Sequence, residues 1–252
     1  MYNPKKRTYA TVEYVDVPGT AKGEGSALVD LPALRGVDVL VHVVRAFESE
    51  TVPHPDGSVD PERDARMLDL ELILADLGFV ERRLEKLEAN IKKLSKPEDV
   101  AERSLFLRLK DALEGERPLR EVAIDEEDRR RLRNYSLLSE KPVLLAANLG
   151  ETQMREAAGY LESSGLQAFA TRPGYRVCPV SATIEAEMSE LAPEDAVAFL
   201  EDLGQAEPGL HRVIRSSYEL LGLLSFLTAG EDECRAWTIR RGTKAPVAAG
   251  TI

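Results

Sequence analysis

The chain has 252 residues, 43% of them hydrophobic and 31% charged, which suits one large globular domain or two modest ones. Its formal charge of −11 argues against a generic nucleic-acid coat or an anionic-membrane binder, since both need a net positive field. Cys178 and Cys234 form no CxxC pair, the first residues lack the apolar core of a secretory signal, and no apolar run approaches a membrane span, so a cytoplasmic protein is expected.

VEYVD (12–16) reads as a buried strand that ends on Asp16, with Gly19 three residues on and the Gly-rich stretch TAKGEGS after it. A carboxylate there can bind magnesium through water, and a Gly amide can donate to a γ-phosphate with no side chain in the way. A plain strand-to-loop turn is the alternative. VDVLVHVVRAF (37–47) reads as a second buried strand.

From residue 62 the texture changes to Leu, Glu, Arg and Lys. Leu70, Ile73, Leu77, Val80, Leu84, Leu87, Ile91 and Leu94 are spaced alternately three and four apart, a heptad seam. At ~1.5 Å per residue this helix is roughly 40 Å long. Pro97 breaks it, and a second apolar-periodic segment runs through Leu105, Leu109 and Leu113. An antiparallel helical hairpin (coiled coil) projecting from an α/β body is expected, with an ordinary two-helix core element as the alternative. KKLSK (92–96) and RRRLR (129–133) are either local basic patches or solvated helix faces.

PVLLAAN (142–148) and YRVCPVSA (175–182) read as two more buried strands, and strands alternating with helices imply an α/β parallel sheet. At its carboxyl edge Asn148 can hydrogen-bond a purine and hold adjacent loops. Guanine readers place an Asp three residues after the Asn, behind a Lys; here those positions are Glu151 and Leu149, which weakens the case for guanine. Ser181 and Ala182 are placed so that their backbone amides could touch a base. EPGLHRVIRSSYELLGLLSFLTAG (207–230) reads as a last helix, and CRAWTIRRGTKAPVAAGTI as a strand, a turn and the start of another element.

The stretches VEYVDVPG, KGEG, VDVLVHVVRAFE, LELILADL, KPVLLAANLGE, EPGLHRVIRSSYELLGLLSFLTAG and RAWTI resemble, in order and over nearly the whole chain, the YchF/Obg-like ATPase family. The resemblance implies a P-loop NTPase-type sheet, here residues 1–66 and 134–222, with an inserted hairpin at 67–133 and a partial TGS domain at 223–252. It implies ATP with Mg2+ as ligand and cofactor, hydrolysis to ADP, and the ribosome as partner. Asp16 would hold the metal through water, Gly19 would sense the γ-phosphate, and Asn148, Leu149, Glu151, Ser181 and Ala182 would surround the base. His54 matches a loop His credited with helping catalysis in the family. Thr20 departs from the apolar residue expected there, and the loop after Gly19 is short. No GxxxxGK[ST] occurs in the 252 residues. The expectation is therefore a fragment, inactive by itself, whose absent first strand would lie between 12–16 and 37–47. Two rival readings stay open, a non-enzymatic ribosome-interaction module with a vestigial nucleotide site and a GTP-binding switch.

Overall fold

The structure is a computed structural model that describes residues 4–17 and 31–252, so Gly19 and Thr20 lie outside the described residues. In chain order the first elements are β1 (Lys6–Thr8), α1 (Leu31–Leu34), β2 (Leu40–Arg45), α2 (Pro61–Lys93), α3 (Pro97–Glu114) and α4 (Glu126–Leu132). There follow β3 (Val143–Asn148), α5 (Glu151–Arg155), α6 (Ala157–Ser163), β4 (Tyr175–Val180), α7 (Ala182–Glu190) and α8 (Pro193–Asp202). The chain continues through α9 (Gly209–Leu220), β5 (Leu223–Ala229), β6 (Glu233–Arg240) and α10 (Ala245–Ala249).

β2, β3 and β4 form a parallel sheet in that order, with Leu40 opposite Val143 and Asn148 opposite Val180. Parallel sheets are covered on both faces, so a central strand has no polar side to show. VLLAA in β3 is buried at every position accordingly. Val44, Leu72, Leu145, Leu166 and Phe169 belong to one core around this sheet.

Residues 12–16 are a correction to the sequence reading. They are not a strand: Val15 is 61% exposed and Tyr14 45%. A strand exists only when its backbone groups find a partner. Among the described residues nothing pairs with β2 on the side away from β3. A cavity of about 1250 Å³ lies there instead, lined by Val15 and Asp16 together with Val41 and Val43 of β2.

α2 opens at Asp60, whose side chain accepts the Arg63 amide at 3.0 Å, and Pro61 fills the first turn, where no amide is needed. Its 33 residues make a rod of about 50 Å. The rod serves two cores. Ala65 and Leu72 pack on the sheet, whereas Ile73, Val80 and Leu84 pack with Leu105, Phe106, Leu109 and Leu113 of α3. The anticipated seam therefore runs from Ile73 to Leu87, while Leu70 and Leu94 at its ends are exposed. Leu94 caps the helix rather than continuing it.

A second correction concerns 207–230, where the helix stops at Leu220. Gly222 takes φ +61°, a left-handed turn that a side chain would strain, and β5 begins immediately after it. β5 pairs antiparallel with β6, and β1 joins β6 in parallel, Lys6 opposite Glu233.

Candidate functional site

The carboxyl ends of β2, β3 and β4 bring three loops together. Asn148 ends β3, and its Oδ1 accepts the backbone N–H of Ala182, which opens α7 just after β4, at 3.0 Å. The Ala182 amide is thereby committed to Asn148. The amide Nδ2 of Asn148 carries the donors that remain for a ligand. Ser181 is 2% exposed, and its Oγ has no hydrogen-bond partner among the described residues. A buried hydroxyl without a partner at a strand end is unusual and marks a position where a ligand atom or water is wanted.

Leu149 and Glu151 part company. The Leu149 amide donates to the Val180 carbonyl at 2.8 Å, and its side chain is 2% exposed inside the sheet core. Glu151 is exposed at the start of α5. Between them the Gly150 amide donates to Gln153 Oε1 at 2.7 Å, while Gln153 Nε2 and the Tyr160 hydroxyl both donate to the Ala46 carbonyl at 2.8 Å. The turn after β3 is thus fastened to the segment leaving β2.

His54 is held from both sides. Its Nδ1 accepts the Asp56 amide at 3.1 Å, and its Nε2 lies 3.0 Å from Asp64 Oδ2 at the start of α2. An Nδ1 that accepts requires the proton on Nε2, so the ring donates to Asp64. Reaching a phosphate would mean releasing one of these bonds. Asp16 is exposed and faces the cavity beside β2, where a magnesium ion that keeps most of its waters needs no more than one or two carboxylates. Among the described residues no three His, Cys, Asp or Glu side chains group so as to hold a metal.

Two buried carboxylates on α2 escaped the sequence reading. Asp69 takes Arg120 Nη1 at 2.7 Å, Arg172 Nη2 at 3.3 Å and the Tyr175 hydroxyl. Asp76 takes the Leu138 amide at 3.0 Å and both the amide and hydroxyl of Ser139 at 2.7 Å. Burial pushes the Asp76 carboxyl above its ordinary value against the pull of these bonds. The signal available was their spacing: seven residues apart, they share a face with Leu72 and Ile73.

The parallel sheet with an Asn-centred loop cluster at its carboxyl edge is of the P-loop NTPase type. A solved structure, that of the Schizosaccharomyces pombe YchF GTPase, superposes with a TM-score of 0.79 at 30% identity, covering 91% of this chain and 62% of that one. The Ribosome-binding ATPase YchF of Bacillus subtilis is 40% identical over 259 residues, which is 100% of this chain and 70% of that protein. The Haemophilus ducreyi protein of the same name is 39% identical over 254 residues, 99% of this chain and 69% of its own length. Obg-like ATPase 1 of Oryza sativa is 32% identical over 256 residues, 100% of this chain and 65% of that protein. Residues 223–252 match the family model YchF-GTPase_C, described as a protein of unknown function (DUF933). The chain belongs to the YchF family. Among the described residues no helix is long and apolar enough to cross a membrane.

Proposed function

We propose that this chain supplies the base-reading and ribosome-contacting parts of a nucleoside-triphosphate hydrolase that prefers ATP. The observation that carries the reading is the Asn148–Ala182 hydrogen bond of 3.0 Å. It fixes the side-chain amide of Asn148 where the β3 and β4 loops meet, the place where α/β sheets receive ligands. Glu151 stands where guanine readers carry a shorter acid. The longer side chain is the feature that favours adenine. Asp16 would contribute the metal-facing carboxylate, with the bound Mg2+ supplying charge neutralisation at the phosphates, and Gly19 would contribute the amide beside the terminal phosphate. His54, held by Asp64, acts on the phosphate only after its loop turns outward. Residues 223–252 would belong to a TGS domain. The ribosome enters as partner through the names of the relatives.

Phosphate affinity in such enzymes comes mainly from the amides and Lys of a GxxxxGK[ST] loop, a pattern that residues 1–252 lack. Purified 1–252 is therefore expected to show no Mg2+-dependent ATP turnover above an Asp16→Ala control. A chimaera supplying the stretches of the Bacillus subtilis relative that this chain does not match should turn ATP over. Steady turnover by 1–252 alone would overturn the assignment of roles.

A further inference from the structure

α9 begins after Pro208, which offers no side-chain cap, so the first amides of the helix need an acceptor from elsewhere. Glu185 supplies it from α7. Its Oε1 accepts the Gly209 amide at 2.6 Å and its Oε2 the Leu210 amide at 3.2 Å. Glu185 also stands in the first turn of its own helix. One carboxylate therefore lies at the amino ends of two helices, whose dipoles both favour a negative charge there. Among the described residues it makes no ion pair, so backbone amides are its partners. The contact is tight: a Cβ on Gly209 would lie 2.9 Å from Glu185 Oε1, and any other residue at 209 pushes the carboxylate aside.

Ser181 and Ala182 precede Glu185 by one helical turn, and the Ala182 amide is the one received by Asn148 at 3.0 Å. Ser181 makes no side-chain cap for α7. Ile184, 3% exposed in the sheet core, sets the depth of the helix. Apolar burial is non-directional, however, and does not stop a short helix from sliding or turning on its contact. The directional ties are Asn148 at the helix start and Glu185 one turn on. α9, at the other end of the Glu185 tie, is secured in turn. Its Arg212 Nη2 donates to the Pro179 carbonyl of β4 at 3.3 Å, and its Tyr218 hydroxyl lies 3.3 Å from Thr238 Oγ1 of β6. The helix that receives Glu185 thus also leads, through Gly222, into the C-terminal sheet.

We propose that Glu185 is a positioning residue for the loop after β4: by fastening α7 to the first turn of α9 it sets where Ser181 and Ala182 stand, and it passes the placement of α9 to them. The consequence for nucleotide rests on the base-reading role assigned to that loop above. The test uses the full 1–252 chain with Glu185→Ala, Glu185→Gln or Gly209→Ala, and with Glu187→Ala, an exposed acid of the same helix, as control. Circular dichroism checks that each is folded, and amide exchange is followed by NMR. Gly209→Ala displaces the carboxylate without removing it, and decides the matter if Glu185→Ala does not fold. The Ala182 amide should exchange tenfold faster or more in Glu185→Ala and Gly209→Ala, with the β3 amides unchanged. Glu185→Gln, which keeps one acceptor oxygen, should fall between, and Glu187→Ala should match the parent. An Ala182 amide unaffected in both variants means that Glu185 merely caps α9 and overturns the proposal, as does equal acceleration in β3. In the chimaera described above, Glu185→Ala should raise KM for ATP fivefold or more and leave kcat within twofold, the signature of a lost ground-state contact. A fall in kcat at unchanged KM overturns the proposal. A chimaera that binds no ATP defeats the base reading, and the exchange of Ala182 still decides the positioning.

Discussion

Arg120 reaches from the turn after the hairpin to Asp69 in the first third of α2, Nη1 to Oδ1 at 2.7 Å, with side chains only 2% and 9% exposed. The same carboxylate receives Arg172 and Tyr175, and the Arg120 guanidinium lies 4.9 Å from the Tyr175 ring centroid. The pair therefore bolts the lower half of α2 to β4. Removing one partner leaves the other charge buried, so Asp69→Ala should cost about 3–5 kcal/mol in urea unfolding. Asp69→Leu with Arg120→Met should cost clearly less, because no charge is stranded. Equal losses in the single and double variants would show that the bolt acts through packing alone.

His42 sets a pH dependence. Burial lowers its pKa from 6.5 to about 4, partly offset by the nearby charges of Asp69 and Asp64. Among the described residues its Nδ1 is fully buried without a partner, although part of the ring borders the cavity beside β2. A base held neutral in the fold contributes stability that is complete above pH 6.5 and lost as pH falls toward 4. The loss approaches about 3 kcal/mol across that window. Unfolding midpoints measured from pH 7.5 to 4 should fall, and should fall less in His42→Gln.

Leu149 and Glu151 separate two effects that base-reading arguments usually join. A Lys at 149 would start from a side chain 2% exposed in the sheet core, so Leu149→Lys should destabilise by about 2 kcal/mol or more unless the chain swings out. Glu151→Asp sits on the surface and should leave stability within about 0.5 kcal/mol. In the chimaera, Glu151→Asp alone should shift preference toward GTP, read by competition between the two nucleotides. An unchanged ratio removes Glu151 from base choice.

Leu84 is buried between α2 and α3. Leu84→Asp places an unpaired carboxylate there, at a local cost of ~3 kcal/mol or more. Hydrogen exchange should accelerate from Ile73 onward and in α3, while β3 keeps its protection. Loss of protection throughout the sheet would mean that the hairpin and the sheet unfold as one unit.

The strands at 40–45, 143–148 and 175–180 were legible because a sheet covered on both faces demands unbroken apolar runs. VEYVD carries the same signal and forms no strand, since pairing depends on a neighbour that no local pattern reports. The helix expected over 207–230 ran too far because Leu220 to Leu224 are apolar but for Gly222, and the mark of the stop was that glycine. Asn148 was legible as a residue that ties loops, and it does so. Asp69 and Asp76 were hidden in a segment rich in charge, where nothing local says which carboxylate turns inward. The bond from His54 to Asp64 is equally tertiary, since Asp64 belongs to the next element.

The most direct test of the account is nucleotide binding to the chimaera with and without Asn148→Ala, by calorimetry with ATP and GTP in the presence of Mg2+. The account predicts tighter binding of ATP than GTP in the parent, and a loss of tenfold or more for ATP in the variant. That loss reflects the missing base contact and the freed Ala182 amide, together about 1.4 kcal/mol or more. Unchanged ATP affinity in a folded Asn148→Ala variant would contradict the claim that the loops after β3 and β4 read the base.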